Sequence, residues 1–186
     1  MASLPRPVPV PVRLDLDPHF RPCEPLEGEE LYPNGIFEFN VTRLLAYIGT
    51  AGRFRAEPVS LDDIPYAGKS EMLNELAVVA ADLTRPVVLA EIAPGRYNLI
   101  DGHHRAAKAR REGVPSIPAY RIHCPEHVAF LTSTRAYEAY VEYWNSKADD
   151  ASVNYSWRMR GNRGSCGSRA VGIGASRSGP RHGPGR

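Results

Sequence analysis

Apolar and polar positions recur along this chain with periods that separate helices from strands. From Glu71 to about Asp82, residues Met72, Leu73, Leu76, Val79 and Ala80 recur at helical spacing, which predicts an amphipathic helix capped by Ser70. Pro86 to Ile92 is a nearly unbroken apolar run, so a buried strand is expected there, after a break at Thr84-Arg85-Pro86. Pro94-Gly95-Arg96 reads as a hairpin turn, with Tyr97 to Ile100 as the returning strand. His103 to Glu112 is an Ala- and Arg-rich helix closed by Gly113 in a left-handed cap, with Pro115 preventing continuation. Ser116 to Ile122 predicts a last strand. A helix is then expected from Pro125 or Glu126 through Trp144, interrupted near Thr132-Ser133-Thr134, with Tyr137, Tyr140, Val141 and Trp144 as its core stripe.

Upstream the pattern is sparser. Pro-Val alternation from Pro7 to Val12 favours an extended arm that adds to a sheet edge or lies free. Asn34-Gly35 makes a turn before Ile36 to Phe39. Asn40 or Thr42 can cap a short helix carrying Leu44, Leu45, Tyr47 and Ile48, which ends near Gly49 or Gly52. Val59-Ser60-Leu61 reads as a strand. The order of elements predicts an α/β (α+β) fold, a short mixed sheet with flanking helices. The organisation read from the chain is a Pro-rich arm (1–33), an N-terminal helical extension (34–56), a compact domain (57–124), a C-terminal helical extension (125–157) and a basic tail (158–186).

Charge changes this picture at one end. Residues 158–186 hold seven Arg and no acid, which leaves the first 157 residues with 16 basic and 21 acidic side chains. The basic balance belongs to the Gly/Arg/Ser tail, which is expected to be disordered. DNA binding is expected only weakly and only through that tail. Three scattered cysteines form neither a disulfide framework nor a zinc pattern. No apolar run approaches a membrane span, so no membrane partner is expected, and a reducing, cytoplasmic setting is the default.

The chemistry concentrates in Asp101-Gly102-His103-His104-Arg105, where a strand delivers a glycine turn into a helix start. The first N–H groups of a helix have no partner within it, and its dipole adds positive charge there, so such a turn binds anions. Gly102 permits a left-handed turn or close ligand approach, and Arg105 adds a planar fork of donors suited to phosphate. One of His103 and His104 is expected to face the ligand while the other orients the loop. Asp101 can cap the helix, hold a histidine tautomer or meet Mg²⁺ through water. Lys108, Arg110 and Arg111 read as a solvated outer face, or with Lys108 or Arg111 reaching the ligand. Asp62, Asp63, Glu71 and Glu75 are the nearest carboxylates for Mg²⁺ or general-base work. His123 and His127 have i, i+4 spacing, but Pro125 interrupts it and no metal site is assigned.

With these residues in hand, the chain resembles the ParB/sulfiredoxin superfamily over about residues 57–124. Arg85-Pro86-Val87-Val88 and Tyr97-Asn98-Leu99-Ile100-Asp101-Gly102-His103-His104-Arg105 carry the likeness. The resemblance implies a small α/β fold whose Gly-x-x-Arg turn holds nucleotide phosphates. His103 stands where sulfiredoxins carry their catalytic cysteine, so that repair chemistry is not expected. The partition protein reads Gly-Glu-Arg-Arg at this turn and continues into a helix-turn-helix region, for which no pattern follows residue 125. The free-serine kinases of the superfamily read Asp-Gly-His-His-Arg, as here, and use a catalytic Glu with no residue-by-residue counterpart in this sequence.

The expectation is therefore a nucleotide-binding protein, taking ATP, ADP or CTP with or without Mg²⁺, that acts as a phosphotransferase on a small hydroxyl substrate or as a nucleotide hydrolase. Gly102, His103, His104, Arg105 and Lys108 would bind the nucleotide. His104 would stabilise transferring charge, with Asp101 and His103 supporting it. The alternative is a noncatalytic module whose nucleotide occupancy changes DNA or protein binding. A nuclease finds no metal–carboxylate cluster in the sequence to support it.

Overall fold

A computed structural model describes residues 12–64 and 73–161. Its elements are β1 (Leu31–Asn34), β2 (Phe37–Asn40), α1 (Val41–Ala51), β3 (Glu57–Ser60), α2 (Glu75–Ala80), β4 (Val87–Ala93), β5 (Arg96–Asp101), α3 (His103–Arg111), β6 (Ser116–Ile122) and α4 (Thr134–Gly161). The fold is of the small α+β kind. β1 and β2 form a separate hairpin, and the main sheet has the order β3-β6-β4-β5. Within it β4 and β6 run parallel, and the other pairs are antiparallel.

Side-chain alternation on the strands splits the core between the two sheet faces. One face carries Val88, Ala90, Ile100 and Ile122 against Phe37 and Phe39 of β2, Leu44 and Ile48 of α1, and Tyr137, Tyr140, Val141 and Trp144 of α4. The other carries Val59, Val87, Leu89, Leu99, Ile117 and Ala119 against Ala106 and Ala109 of α3, with Leu61 and Ile64 from a 3-10 turn. β4 is covered on both faces, which accounts for its nearly continuous apolar sequence. The small Ala106 and Ala109 let α3 sit close against the sheet. The first cluster joins residues from 34–56, 57–124 and 125–157, so those boundaries do not separate independently packed units.

Several expectations require correction. Pro7 to Pro11 of the alternating arm lie outside the described residues. Val12 and Leu14 lie along α4, with Trp144 Nε1 donating to Val12 O at 3.0 Å and Leu14 N donating to Asn145 Oδ1 at 2.8 Å, while the arm's last residues, Leu31 to Pro33, pair with β2 in the hairpin. The helix expected over 71–82 is only Glu75–Ala80, and Asn74 caps it by accepting from Leu76 N and Ala77 N. Ser70, Glu71 and Met72 lie outside the described residues. Its buried residue is Val78, whereas Leu76 and Val79 are 81% and 70% exposed. Helical spacing found a stripe, and the short length of the helix selected a different face for the core.

The long helix begins at Thr134 rather than near Pro125, after a separate 3-10 turn at Val128–Phe130. It continues through Trp144 to Gly161, four residues into the expected tail. The remainder of that tail lies outside the described residues. Among the described residues, no helix is long and apolar enough to cross a membrane.

Candidate functional site

β5 ends at Asp101, and Gly102 turns the chain into α3 with φ 98° and ψ 25°. A side chain there would be strained by that backbone and would also collide: an ideal Cβ falls 2.5 Å from Val87 Cγ1 and 2.9 Å from Arg105 Nη2. Gly102 therefore permits both the turn and the close approach of β4 to the start of α3. No side chain caps that helix end. Ala106 N is bonded back to Gly102 O at 2.9 Å, which closes the first turn and leaves the preceding amides directed out of its end. Asp101 does not act as the cap. Its Oδ2 instead accepts from Arg105 Nη2 at 2.7 Å, in a pair whose side chains are 19% and 14% exposed. Arg105 Nε is buried with no hydrogen-bond partner among the described residues. A buried donor left unpaired costs free energy, and a ligand oxygen reaching it would remove that cost.

The two histidines divide their work. His103 Nε2 lies 3.1 Å from the Tyr32 hydroxyl, with the rings tilted at 4.8 Å, so it ties β1 to the start of α3. Burial lowers the His103 pKa, with Asp101 opposing and His104 reinforcing the shift, and the imidazole is neutral at pH 7. His104 has no hydrogen-bond partner among the described residues and borders the open space.

That space is a cleft of about 290 Å³ lined by Asp101 to Arg105, Ile100, Glu30, Ala77, Ala80, Ala81, Asp82 and Arg85. Its volume suits a phosphate group or a small molecule, and a whole nucleotide would extend beyond it. Alanines of α2 make one wall. Asp82 is held as a carboxylate below the usual range, first by the Thr84 hydroxyl and then by Thr84 N–H. Glu30 is exposed, and its carboxylate has no partner among the described residues.

Among the residues expected at the site, Asp101, Gly102, His103, His104 and Arg105 all line the cleft, whereas Lys108 does not. Its ammonium donates to Val79 O at 2.9 Å and Ala81 O at 2.8 Å, at the C-terminal end of α2 where a cation is favoured. Arg110 Nη2 donates to Leu61 O and Ile64 O, and Arg111 forms a two-pronged pair with Glu75. The basic face of α3 is neither simply solvated nor turned to the cleft, because these side chains fasten α2 and the 3-10 turn to α3. Asp62, Asp63 and Glu75 do not line the cleft, and Glu71 lies outside the described residues.

The carboxylates that do line it besides Asp101 are Glu30 and Asp82, and these, like Tyr32 beside His103, were not singled out from the sequence, whereas Arg85 was named only in the run that carries the family likeness. Glu30 and Tyr32 belong to the segment 1–33, read as a Pro-rich extended arm. The pairing of β1 with β2, the contact of Tyr32 with His103 and the bond from Asn98 Nδ2 to Asn34 Oδ1 at 3.2 Å bring them to the motif. Among the described residues, no three His, Cys, Asp or Glu side chains converge as a metal site. His123 and His127 have separate partners, Tyr97 and Tyr140. Comparison of the chain with protein-family models, with curated proteins and with solved structures gave no match.

Proposed function

We propose that the cleft at the start of α3 binds the phosphates of a nucleotide (ATP, ADP or CTP), and that the protein is a ParB/sulfiredoxin-like phosphotransferase or nucleotide hydrolase working in the cytoplasm. The observation that carries this reading is the uncapped first turn of α3, beside an Arg105 whose buried Nε lacks a partner among the described residues. The amides after Gly102 and the Arg105 fork hold phosphate oxygens, and Asp101 keeps that fork in place. His104 lies where it can donate to charge building on the transferred group. Glu30, a cleft carboxylate with no partner among the described residues, is the base for an incoming hydroxyl or water. Phosphoryl transfer asks mainly for positioning and charge neutralisation, which this set supplies. A Mg²⁺ arriving with the nucleotide would add further neutralisation, and Asp82 is the carboxylate that would meet its water shell.

Calorimetric titration of the full chain with ATP, ADP and CTP, with and without Mg²⁺, tests the reading. Saturable binding that Arg105→Ala weakens about 100-fold is expected, and absence of binding by all three would overturn it. Product formation with serine and other small hydroxyl compounds then tests transfer. The second reading, a noncatalytic nucleotide-regulated module, draws on the Tyr32–His103 contact, which couples cleft occupancy to the N-terminal hairpin. Binding without turnover would favour it.

A further inference from the structure

The parallel strands β4 and β6 end on the side of the sheet away from Gly102, which touches Val87 at the start of β4. At that far end Glu91 is largely shielded from solvent, and its carboxylate accepts from Gly95 N at 2.8 Å and Cys124 N at 3.3 Å. His123, just past β6, has Nδ1 2.7 Å from the Tyr97 hydroxyl and 3.4 Å from Glu91 Oε2. The Tyr97 hydroxyl has no other hydrogen-bond partner among the described residues, and in the tautomer where it donates, Nδ1 is the acceptor. Burial, then the nearby Glu91, push the Tyr97 pKa up to about 12, and the phenol keeps its proton. A neutral imidazole that accepts at Nδ1 carries its hydrogen on Nε2, and a protonated one donates there as well.

The His123 side chain is 66% exposed and borders a pocket of about 300 Å³ with Arg53, Arg55, Arg121, Glu57 and Glu126. Arg53 lies over the Tyr47 and Phe54 rings and pairs with Glu126 at 2.9 Å. Arg121 lies over the Tyr97 ring, 2.9 Å from Glu57, yet its buried Nε lacks an aligned hydrogen bond. Arg55 is exposed and makes no ion pair with a described residue. Two guanidiniums are thus pre-positioned by stacking and by carboxylates, a third is unpaired, and an oriented imidazole completes the wall.

We propose that this pocket is a second anion site, which takes inorganic phosphate or a small phosphomonoester through His123 Nε2–H and the guanidiniums of Arg53, Arg55 and Arg121. Three arginines against two glutamates give the wall a modest positive balance, suited to a small dianion. A long polyanion would meet the acidic excess of the first 157 residues, 21 acids against 16 bases. The site does not include Arg105 and stands independently of the reading of the cleft.

Titration of the full chain with inorganic phosphate and with O-phosphoserine, followed by NMR of the His123 imidazole at fixed pH, tests the assignment. A saturable shift of the His123 ring signals is expected, weakened about 10-fold by Arg55→Ala and unchanged by Arg105→Ala. Arg55 is exposed and makes no ion pair with a described residue, so its truncation leaves the fold intact. Ring signals that stay fixed up to about 10 mM phosphate, or binding lost equally in Arg105→Ala, would overturn the assignment. Tighter binding of a single-stranded oligonucleotide than of O-phosphoserine would overturn the small-ligand assignment and make the face a nucleic-acid surface.

Discussion

Arg105 and Arg110 lie on the same short helix and carry the same guanidinium, yet the structure uses them differently. Arg105 is paired with a carboxylate at the mouth of a cleft and keeps a buried donor unsatisfied. Arg110, like Lys108, gives its donors to backbone carbonyls of neighbouring elements. The first turn of α3 retains hydrogen-bonding capacity for a ligand, and the second half spends its capacity on the scaffold. Removing a cation should therefore affect binding at one end of α3 and stability at the other.

The most damaging change is at the pivot. Gly102→Ala combines a backbone that disfavours side chains with a Cβ 2.5 Å from Val87. A loss of about 3 kcal/mol is expected, with nucleotide binding abolished. Urea unfolding together with calorimetry checks it. A variant of wild-type stability that still binds nucleotide would show that the first turn is not held as described.

Acid should act on the two ends unequally. In the second half of α3, the bonds of Lys108 and Arg110 to backbone carbonyls do not titrate below neutral pH, whereas His103 sits in the first turn. Burial lowers the pKa of His103, and in the core it takes His127 down to about 4, with His127 Nε2 3.1 Å from the Tyr140 hydroxyl. For a folded-state pKa below the unfolded one, the unfolded chain binds the proton more readily. The stability is then complete above about pH 6.5 and is lost as pH falls towards the folded value. The His127 shift, from 6.5 to about 4, corresponds to a loss on the order of 3 kcal/mol. Unfolding measured between pH 7.5 and pH 4 checks it, and His127→Phe should flatten most of the slope. What remains includes the part due to His103, which Tyr32→Phe should alter.

Arg105→Ala comes next, with nucleotide affinity expected to fall about 100-fold, as for loss of charge-assisted bonds. Arg105→Lys keeps the charge but not the fork, so it should recover only part of that loss. Calorimetry on both, beside Arg110→Ala, bears directly on the contrast within α3. If Arg110→Ala weakened nucleotide binding as much as Arg105→Ala, the division of the helix would be wrong.

How much of this was readable beforehand follows the range of the interactions. β4, the β4–β5 turn, α3 and β6 are set by local pattern and turn chemistry, and all lie where the sequence put them. The grouping of Asp101 to Arg105 was also local, since the end of β5 and the first turn of α3 hold all five. Glu30 reaches the cleft, and Tyr32 reaches His103, from about 70 residues upstream of the motif, and no periodicity encodes that approach. The partners of Lys108 were hidden for a related reason. Val79 O and Ala81 O are backbone groups, present at every position and invisible in residue identities. The length of α2 was overread because spacing alone cannot say where a helix stops.

The smallest effects test the scaffold half of α3. Lys108→Met removes two charge-assisted bonds to the end of α2 while keeping the aliphatic stem, so a loss of about 1–2 kcal/mol is expected, with little change in nucleotide affinity. Glu75→Gln should do less, because its pair with Arg111 is open to solvent and screened, and no measurable shift in the unfolding midpoint is expected. The contrast between these two isolates what fastens α2. If Glu75→Gln destabilised more than Lys108→Met, α2 would be held by its exposed ion pair rather than by the lysine at its C-terminal carbonyls. The cleft wall made by Ala77, Ala80 and Ala81 would then rest on an interaction that salt dissolves, and nucleotide binding would weaken with ionic strength beyond what the phosphates alone require.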